Sequence, residues 1–66
     1  MKNRIRVARA EVRMTQQRLA DEAGVSRQTI NAIESGRFVP STVLALKIAR
    51  IFSRPVEELF QLDDED

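Results

Sequence analysis

The stretch that decides the fold is TQQRLADEAGVSRQTINAIESGR, residues 15–37. Thr15 is a good N-cap, because its hydroxyl can accept from a backbone N–H left unpaired in a first helical turn. It opens a helix expected over about 16–23, with Leu19, Ala20 and Ala23 turned inward. Gly24 closes that helix, since glycine takes a positive φ without steric cost. Ser26 caps a further helix expected over about 27–35, and Gly36 ends it.

Only Gly24, Val25 and Ser26 separate these two helices. So short a connection, led by glycine, makes the second helix cross the first sharply, which is a helix-turn-helix. The flanking sequence reads the same way. A first helix is expected over about 3–12, with Ile5, Ala8 and Val12 on one stripe. Pro40 in the RFVP loop stops any continuation from upstream. Ser41 caps a fourth helix over about 42–52, with Leu44, Ala45, Ile48, Ile51 and Phe52 inward. Pro55 suits the start of a short fifth helix ending near Phe60. Alternation is weak and no strand signal stands out. The expected fold is all-α, a compact five-helix bundle: one domain over 1–60 and a disordered acidic tail over 61–66.

At 66 residues a single domain is expected. A chain this short buries only about 60% of its unfolded surface, so its stability is marginal. It has no cysteine and no histidine. That excludes disulfides and thiolate metal sites, and it removes the commonest metal ligand and general base. No apolar run approaches the roughly 18 residues of a membrane span, and the charged start MKNRIRVARAEVR is not a signal peptide. No metal or cofactor is expected. The net charge of +1 is unevenly placed. All eleven Lys and Arg lie within residues 2–54 against four acids, a net of +7, whereas residues 55–66 carry six acids and no base, a net of −6. A basic body with an acidic end hints at a polyanionic partner.

The third helix carries the chemistry. At 100° per residue Ser26, Thr29, Ile30 and Ile33 fall on one half, and Arg27, Gln28, Asn31, Ala32 and Ser35 on the other. The major groove of B-DNA admits one helix, and its base edges are read by forked groups: Arg to guanine, Asn or Gln to adenine. Arg27 and Gln28 sit at the N-terminal end, Asn31 lies one turn on, and Ala32 is small enough to meet a thymine methyl. Any one of these residues alone is more often the wet side of a helix; the combination points to double-stranded DNA. Thr15 and Gln16 bring a helix N-terminus to the surface, and Arg37 follows the helix end, where it can reach phosphates. Arg9 and Glu34 lie beside apolar stripes, where charges generally need a partner. If the first and third helices pack together, these two pair.

Residues 15–37 resemble the helix-turn-helix core of phage-repressor and Cro-type regulators, the xenobiotic-response-element class. The shared pattern is T-Q-x-x-L-A, a small residue and Gly, V-S-x-x-x-I, then I-E-x-G, and the likeness continues through VPSTVLALKIARIF and PVEELF. The resemblance implies a lambda-repressor-like fold and a small transcriptional regulator, expected to be a repressor. It implies a prokaryotic, cytoplasmic protein, at the nucleoid when bound. It puts Arg27, Gln28, Asn31 and Ala32 at base-facing positions and Gln16, Ser26, Ser35 and Arg37 at phosphate-contacting ones; Thr15, at the start of the second helix, and Thr29 are further candidates for phosphate contact. Gln16 would also brace the start of the third helix, and Arg9–Glu34 would be the salt bridge between the first and third helices. Three positions depart from the pattern. Arg13 stands where Gly or Asn is common, so either it adopts an unfavourable conformation or the first helix ends differently. Ala8 replaces a larger aliphatic, and Ser53–Arg54 replace a usual Gly–Val.

Regulators of this class resemble dimers reading half-sites about 34 Å apart. Val43, Leu46, Val56, Phe60 and Leu62 are candidates for a homodimer contact, although Phe60 equally suits the monomer's own core. Two other functional classes stay in view. An antitoxin or adaptor would use the same fold to hold a protein partner. An enzyme is disfavoured, because no nucleophile–base pair, metal cluster or phosphate-cradling glycine loop is present.

Overall fold

The computed structural model describes residues 1–66. Five helices follow one another: α1 (Ile5–Glu11), α2 (Gln16–Ala23), α3 (Arg27–Glu34), α4 (Thr42–Phe52) and α5 (Val56–Leu59). A two-residue strand at each end, β1 (Lys2–Asn3) and β2 (Phe60–Gln61), completes the chain.

The helix starts lie where local chemistry puts them. Thr15 Oγ1 accepts from Arg18 N–H at 3.0 Å, Ser26 Oγ from Thr29 N–H at 3.2 Å and Ser41 Oγ from Leu44 N–H at 3.2 Å. Each such cap is worth about 1 kcal/mol, a sizeable share of the roughly 3–10 kcal/mol that a domain of this length holds in total. Gly24, at φ 76°, ends α2, with its N–H and that of Val25 both donating to Ala20 O. α2 and α4 span their expected residues. α3 stops at Glu34, one residue early, because Ser35 is its C-cap.

The core unites Ile5 and Ala8 of α1, Leu19, Ala20 and Ala23 of α2, Ile30 and Ile33 of α3, Ile48 and Ala49 of α4, and Leu59 and Phe60 at the C-terminal end. Leu44, Ala45, Ile51 and Phe52 pack partly against it. The spacing between packed helices is set by the side chains at the contact, and four of these core residues are alanines, which allow close approach. Ala49, absent from the expected inner face of α4, is one of them. Phe60 belongs to this core, so it is withdrawn from the dimer surface.

Two expectations for α1 are corrected. Val12 is 57% exposed and does not extend the inner stripe. The helix ends at Glu11, and Arg13 takes the left-handed conformation at φ 54°, turning the chain away before the next helical turn forms. The helix also begins at Ile5 rather than Asn3, because Asn3 is used elsewhere. Its Oδ1 accepts from Ile5 N–H at 3.3 Å, and its Nδ2 donates to Ile33 O at 2.8 Å. Ser53 is likewise left-handed, at φ 53°, where it caps α4. Arg54 then reaches Glu11 at 2.5 Å, joining the end of α4 to the end of α1.

The chain is not wholly helical. Lys2 pairs with Gln61 and Asn3 with Phe60 in an antiparallel ladder, and Arg4 N–H adds a bond to Leu59 O at 2.8 Å. Gln61, assigned from sequence to a loose tail, is therefore paired. Beyond it Asp63 and Asp66 lie 2.8 and 3.4 Å from the amino terminus. This corrects the expected boundary at residue 60: the ordered contacts run past it, held by opposite charges at the two chain ends.

Candidate nucleic-acid interface

α3 is held at both ends by side chains from other parts of the chain or from its own cap. Ser26 fixes its start, and the Ser26 and Thr29 hydroxyls also share a hydrogen bond at 3.0 Å. At its end Asn3 takes the Ile33 carbonyl, and Glu34 receives three donors. Arg9 Nε donates to Glu34 Oε2 at 2.6 Å, Arg9 Nη2 to Oε1 at 3.0 Å and Gln16 Nε2 to Oε1 at 3.0 Å. Arg9 Nη1 also donates to Met14 O at 2.8 Å, and Arg6 adds positive charge 3.6 Å from the carboxylate. The Glu34 side chain is 0% exposed and that of Arg9 15%.

The electrostatics of this cluster have a clear sign. Burial pushes the Glu34 carboxyl pKa up. The hydrogen bonds from Arg9 and Gln16, with the charges of Arg9 and Arg6, outweigh it and leave the pKa below the usual carboxylate range. The hydrogen bond to Glu34 raises the Arg9 pKa, against the opposing effect of burial. The expected Arg9–Glu34 pair is thus present as a fork-to-carboxylate contact, the strong geometry for such pairs. Gln16 braces the end of α3 through Glu34 rather than its start, which corrects the expectation. Asn3 and Arg6 were missed. Nothing local in the sequence marks Asn3, since its acceptor lies thirty residues away.

The outer face of α3 is left for other uses. Arg27 and Gln28 are exposed, Asn31 and Ala32 half-buried, and with Arg37 they line one shallow concavity. An eight-residue helix is about 12 Å long, comparable to a B-DNA major groove about 12 Å wide. Thr15 and Ser26 are exposed at the starts of α2 and α3 beside this surface, and Thr29 is half-buried behind Ser26. Ser35 Oγ donates to Ala32 O at 3.1 Å. Arg37 does not extend outward. It folds back along α3, its Nε donating to Ser35 Oγ at 3.0 Å and its Nη2 to Asn31 Oδ1 at 3.1 Å.

The proposed dimer residues do not stay together. Val43, Leu46 and Leu62 are exposed, whereas Val56 packs partly against the core and Phe60 is buried within it. Phe38 and Val39, in the loop before α4, are exposed apolar residues that sequence reasoning left out. No group of three or more Asp and Glu side chains is placed to hold a metal ion. No helix is long and apolar enough to cross a membrane.

Two capped helices joined by a three-residue glycine-led turn, the second bearing forked polar groups on its outer face, define a helix-turn-helix protein. The chain belongs to the helix-turn-helix family, whose pattern it matches over residues 5–59, and its fold and relatives are those of DNA-binding transcription regulators. It is 46% identical over 66 residues to YgzD of Bacillus subtilis (strain 168), with 100% of both chains covered. It is 50% identical over 66 residues to a protein of Archaeoglobus fulgidus, covering 100% of this chain and 94% of that one. It is 47% identical to MJ0272 of Methanocaldococcus jannaschii, with both chains fully covered. All three are described as uncharacterized HTH-type transcriptional regulators. The crystal structure of the clp gene regulator ClgR from Corynebacterium glutamicum is similar with a TM-score of 0.77 at 26% identity. That similarity covers 82% of this chain and 57% of the ClgR chain.

Proposed function

We propose that the chain is a sequence-specific repressor that binds double-stranded DNA as a homodimer, with α3 in the major groove, in the cytoplasm and at the nucleoid of a prokaryotic cell. The observation that carries this reading is the grouping of Arg27, Gln28, Asn31 and Ala32 on one concave surface of a helix tied by side chains at both ends. Arg27 and Gln28 meet base edges first, Asn31 and Ala32 one turn later. Thr15, Gln16, Ser26, Thr29 and Ser35 sit near the phosphates. Gln16 can serve there only through the part of its amide that Glu34 leaves available.

The homodimer contact is assigned to the outer side of α4. Val43 and Leu46 are exposed one turn apart there, with Phe38 and Val39 in the preceding loop and Leu62 at the other end of the chain. The same exposed apolar residues favour a second reading, a protein partner in place of the second copy. Sedimentation at micromolar concentration separates the two, since a monomer there rejects the homodimer.

The test of DNA reading is a selection from random-sequence duplexes with wild type and Arg27→Ala in parallel, at two salt concentrations. An inverted repeat with one base pair per half relaxed in the variant is the expected result. Binding that enriches no motif and vanishes at moderate salt would reduce the interaction to backbone attraction.

A further inference from the structure

We propose that Arg37 is a specificity-determining residue: it orients the Asn31 amide so that the two side chains together read guanine. This rests on α3 being the base-contacting helix. A basic residue just after a recognition helix would ordinarily be assigned to phosphate, and the geometry here is different. Gly36, at φ 81°, turns the chain back on itself. The N–H groups of Arg37 and Phe38 both donate to Ala32 O, at 2.9 and 3.2 Å. The Arg37 backbone is therefore pinned beside the last turn of α3, and its side chain runs back toward the N-terminal end of the helix.

Two acceptors hold the guanidinium there. Nε donates to Ser35 Oγ, which itself donates to Ala32 O, so the hydroxyl is used in both senses. Nη2 donates to Asn31 Oδ1. A guanidinium has donors and no acceptor, so the amide atom facing it is the oxygen, and this settles which way the Asn31 side chain is turned.

The consequence for recognition is chemical. Asparagine reads adenine by giving Nδ2–H to N7 while Oδ1 accepts from the N6 amino group. Here Oδ1 accepts from a cation on the same concave surface, so the Arg37 N–H groups stand beside the one lone pair that Oδ1 keeps and oppose a further donor such as the adenine N6 amino group. What the pair presents to a base edge is N–H groups, from Nδ2 of Asn31 and from the remaining donors of Arg37. Guanine offers two acceptors in the major groove, N7 and O6, while adenine offers one acceptor and one donor. A surface of donors matches guanine.

The test is a set of parallel selections from random duplex DNA with wild type, Asn31→Ala, Arg37→Ala and Arg37→Lys, with urea midpoints showing that each variant is folded. The wild-type motif is expected to carry guanine at the position that Asn31→Ala relaxes. Arg37→Lys, which keeps the charge and loses the fork, is expected to relax that same position, with roughly tenfold less preference for the base pair, the lower range of what a bidentate base contact supplies. Two results would overturn the inference while leaving α3 as the reading helix. One is adenine at the Asn31 position. The other is an unchanged motif with Arg37→Lys, together with Arg37→Ala weakening all sequences equally and lowering the salt slope by about one, the signature of a phosphate contact. A wild type that enriches no motif would overturn the base-reading role of α3 itself.

Discussion

Glu34→Gln isolates the cluster that holds α3. The substitution keeps the shape of the side chain and removes its charge, leaving the Arg9 guanidinium against a neutral amide. Breaking a buried ion pair by removing one partner costs about 3–5 kcal/mol. Arg9 is 15% exposed, so water can reach part of it, and the lower end of that range, about 3 kcal/mol, applies. Against a total of roughly 3–10 kcal/mol for 66 residues, this is a third or more of the fold's stability. Urea unfolding followed by circular dichroism at pH 7 measures it. Arg9→Met is expected to cost a similar amount, whereas Arg9→Met with Glu34→Leu is expected to lose far less than the two singles together, because no charge is then left buried. Singles that each cost under about 1 kcal/mol and add in the double variant would refute the claim that this pair is a buried, coupled contact. The pH dependence has a definite sign. Because the Glu34 pKa is lowered in the folded state, the unfolded chain binds more protons between the two pKa values, and stability there rises with pH. The contribution is complete above the unfolded value of 4.5 and is lost as pH falls through the folded one, so wild type and Glu34→Gln converge in acid.

Three further outcomes follow from particular residues. Ser53→Gly and Arg13→Gly each relieve a left-handed residue of a penalty of roughly 1–2 kcal/mol, less the ~0.5–1 kcal/mol of extra freedom a glycine loses on folding. At mid-range the net gain is about 0.75 kcal/mol, so each should raise Tm by about 3–6 °C in a calorimetric scan. Asn3→Ala removes the bonds to Ile33 O and Ile5 N–H and should cost about 1–2 kcal/mol in urea unfolding; an unchanged midpoint would mean water replaces both. Leu46→Glu, at a position 54% exposed, should abolish self-association in sedimentation while the monomer's urea midpoint stays put.

What was legible in the sequence was what is encoded within a few residues. Thr15, Ser26 and Ser41 announce the starts of α2, α3 and α4, and Gly24 the end of α2, because a cap or a positive φ is a property of one residue and its next turn. The end of α1 was misplaced for the same reason: Arg13 takes the left-handed conformation without the glycine that would signal it. The terminal ladder could not be read, since two residues are too few to show alternation and their partners lie at the other end of the chain. Phe60 illustrates a different limit. Periodicity marks a residue as apolar and on a face, but only the packing of β2 against the rest decides whether that face is inside. At the candidate site the forked residues of α3 were legible from helical phase. The direction of Arg37 was not, because it depends on the turn at Gly36 and on which donors share the Ala32 carbonyl.

The anchoring of α3 makes stability and recognition separable, which yields a last prediction. The helix is held from behind by Ile30 and Ile33, both within the core, and at its ends by Ser26, Asn3, Arg9 and Gln16. Arg27 and Gln28 make no contribution to any of these contacts, and both are exposed. Surface substitutions away from caps, cores and buried networks usually change stability by no more than about 0.5 kcal/mol. Arg27→Ala and Gln28→Ala should therefore leave the urea midpoint nearly unchanged while altering the selected DNA motif. Ile30→Ala, by contrast, removes a fully buried side chain and should cost about 2–5 kcal/mol, without specifying a different base. Should Arg27→Ala destabilise the fold by more than about 1 kcal/mol, the outer face of α3 would be bearing structural load, and a change in binding by that variant could no longer be read as loss of a base contact.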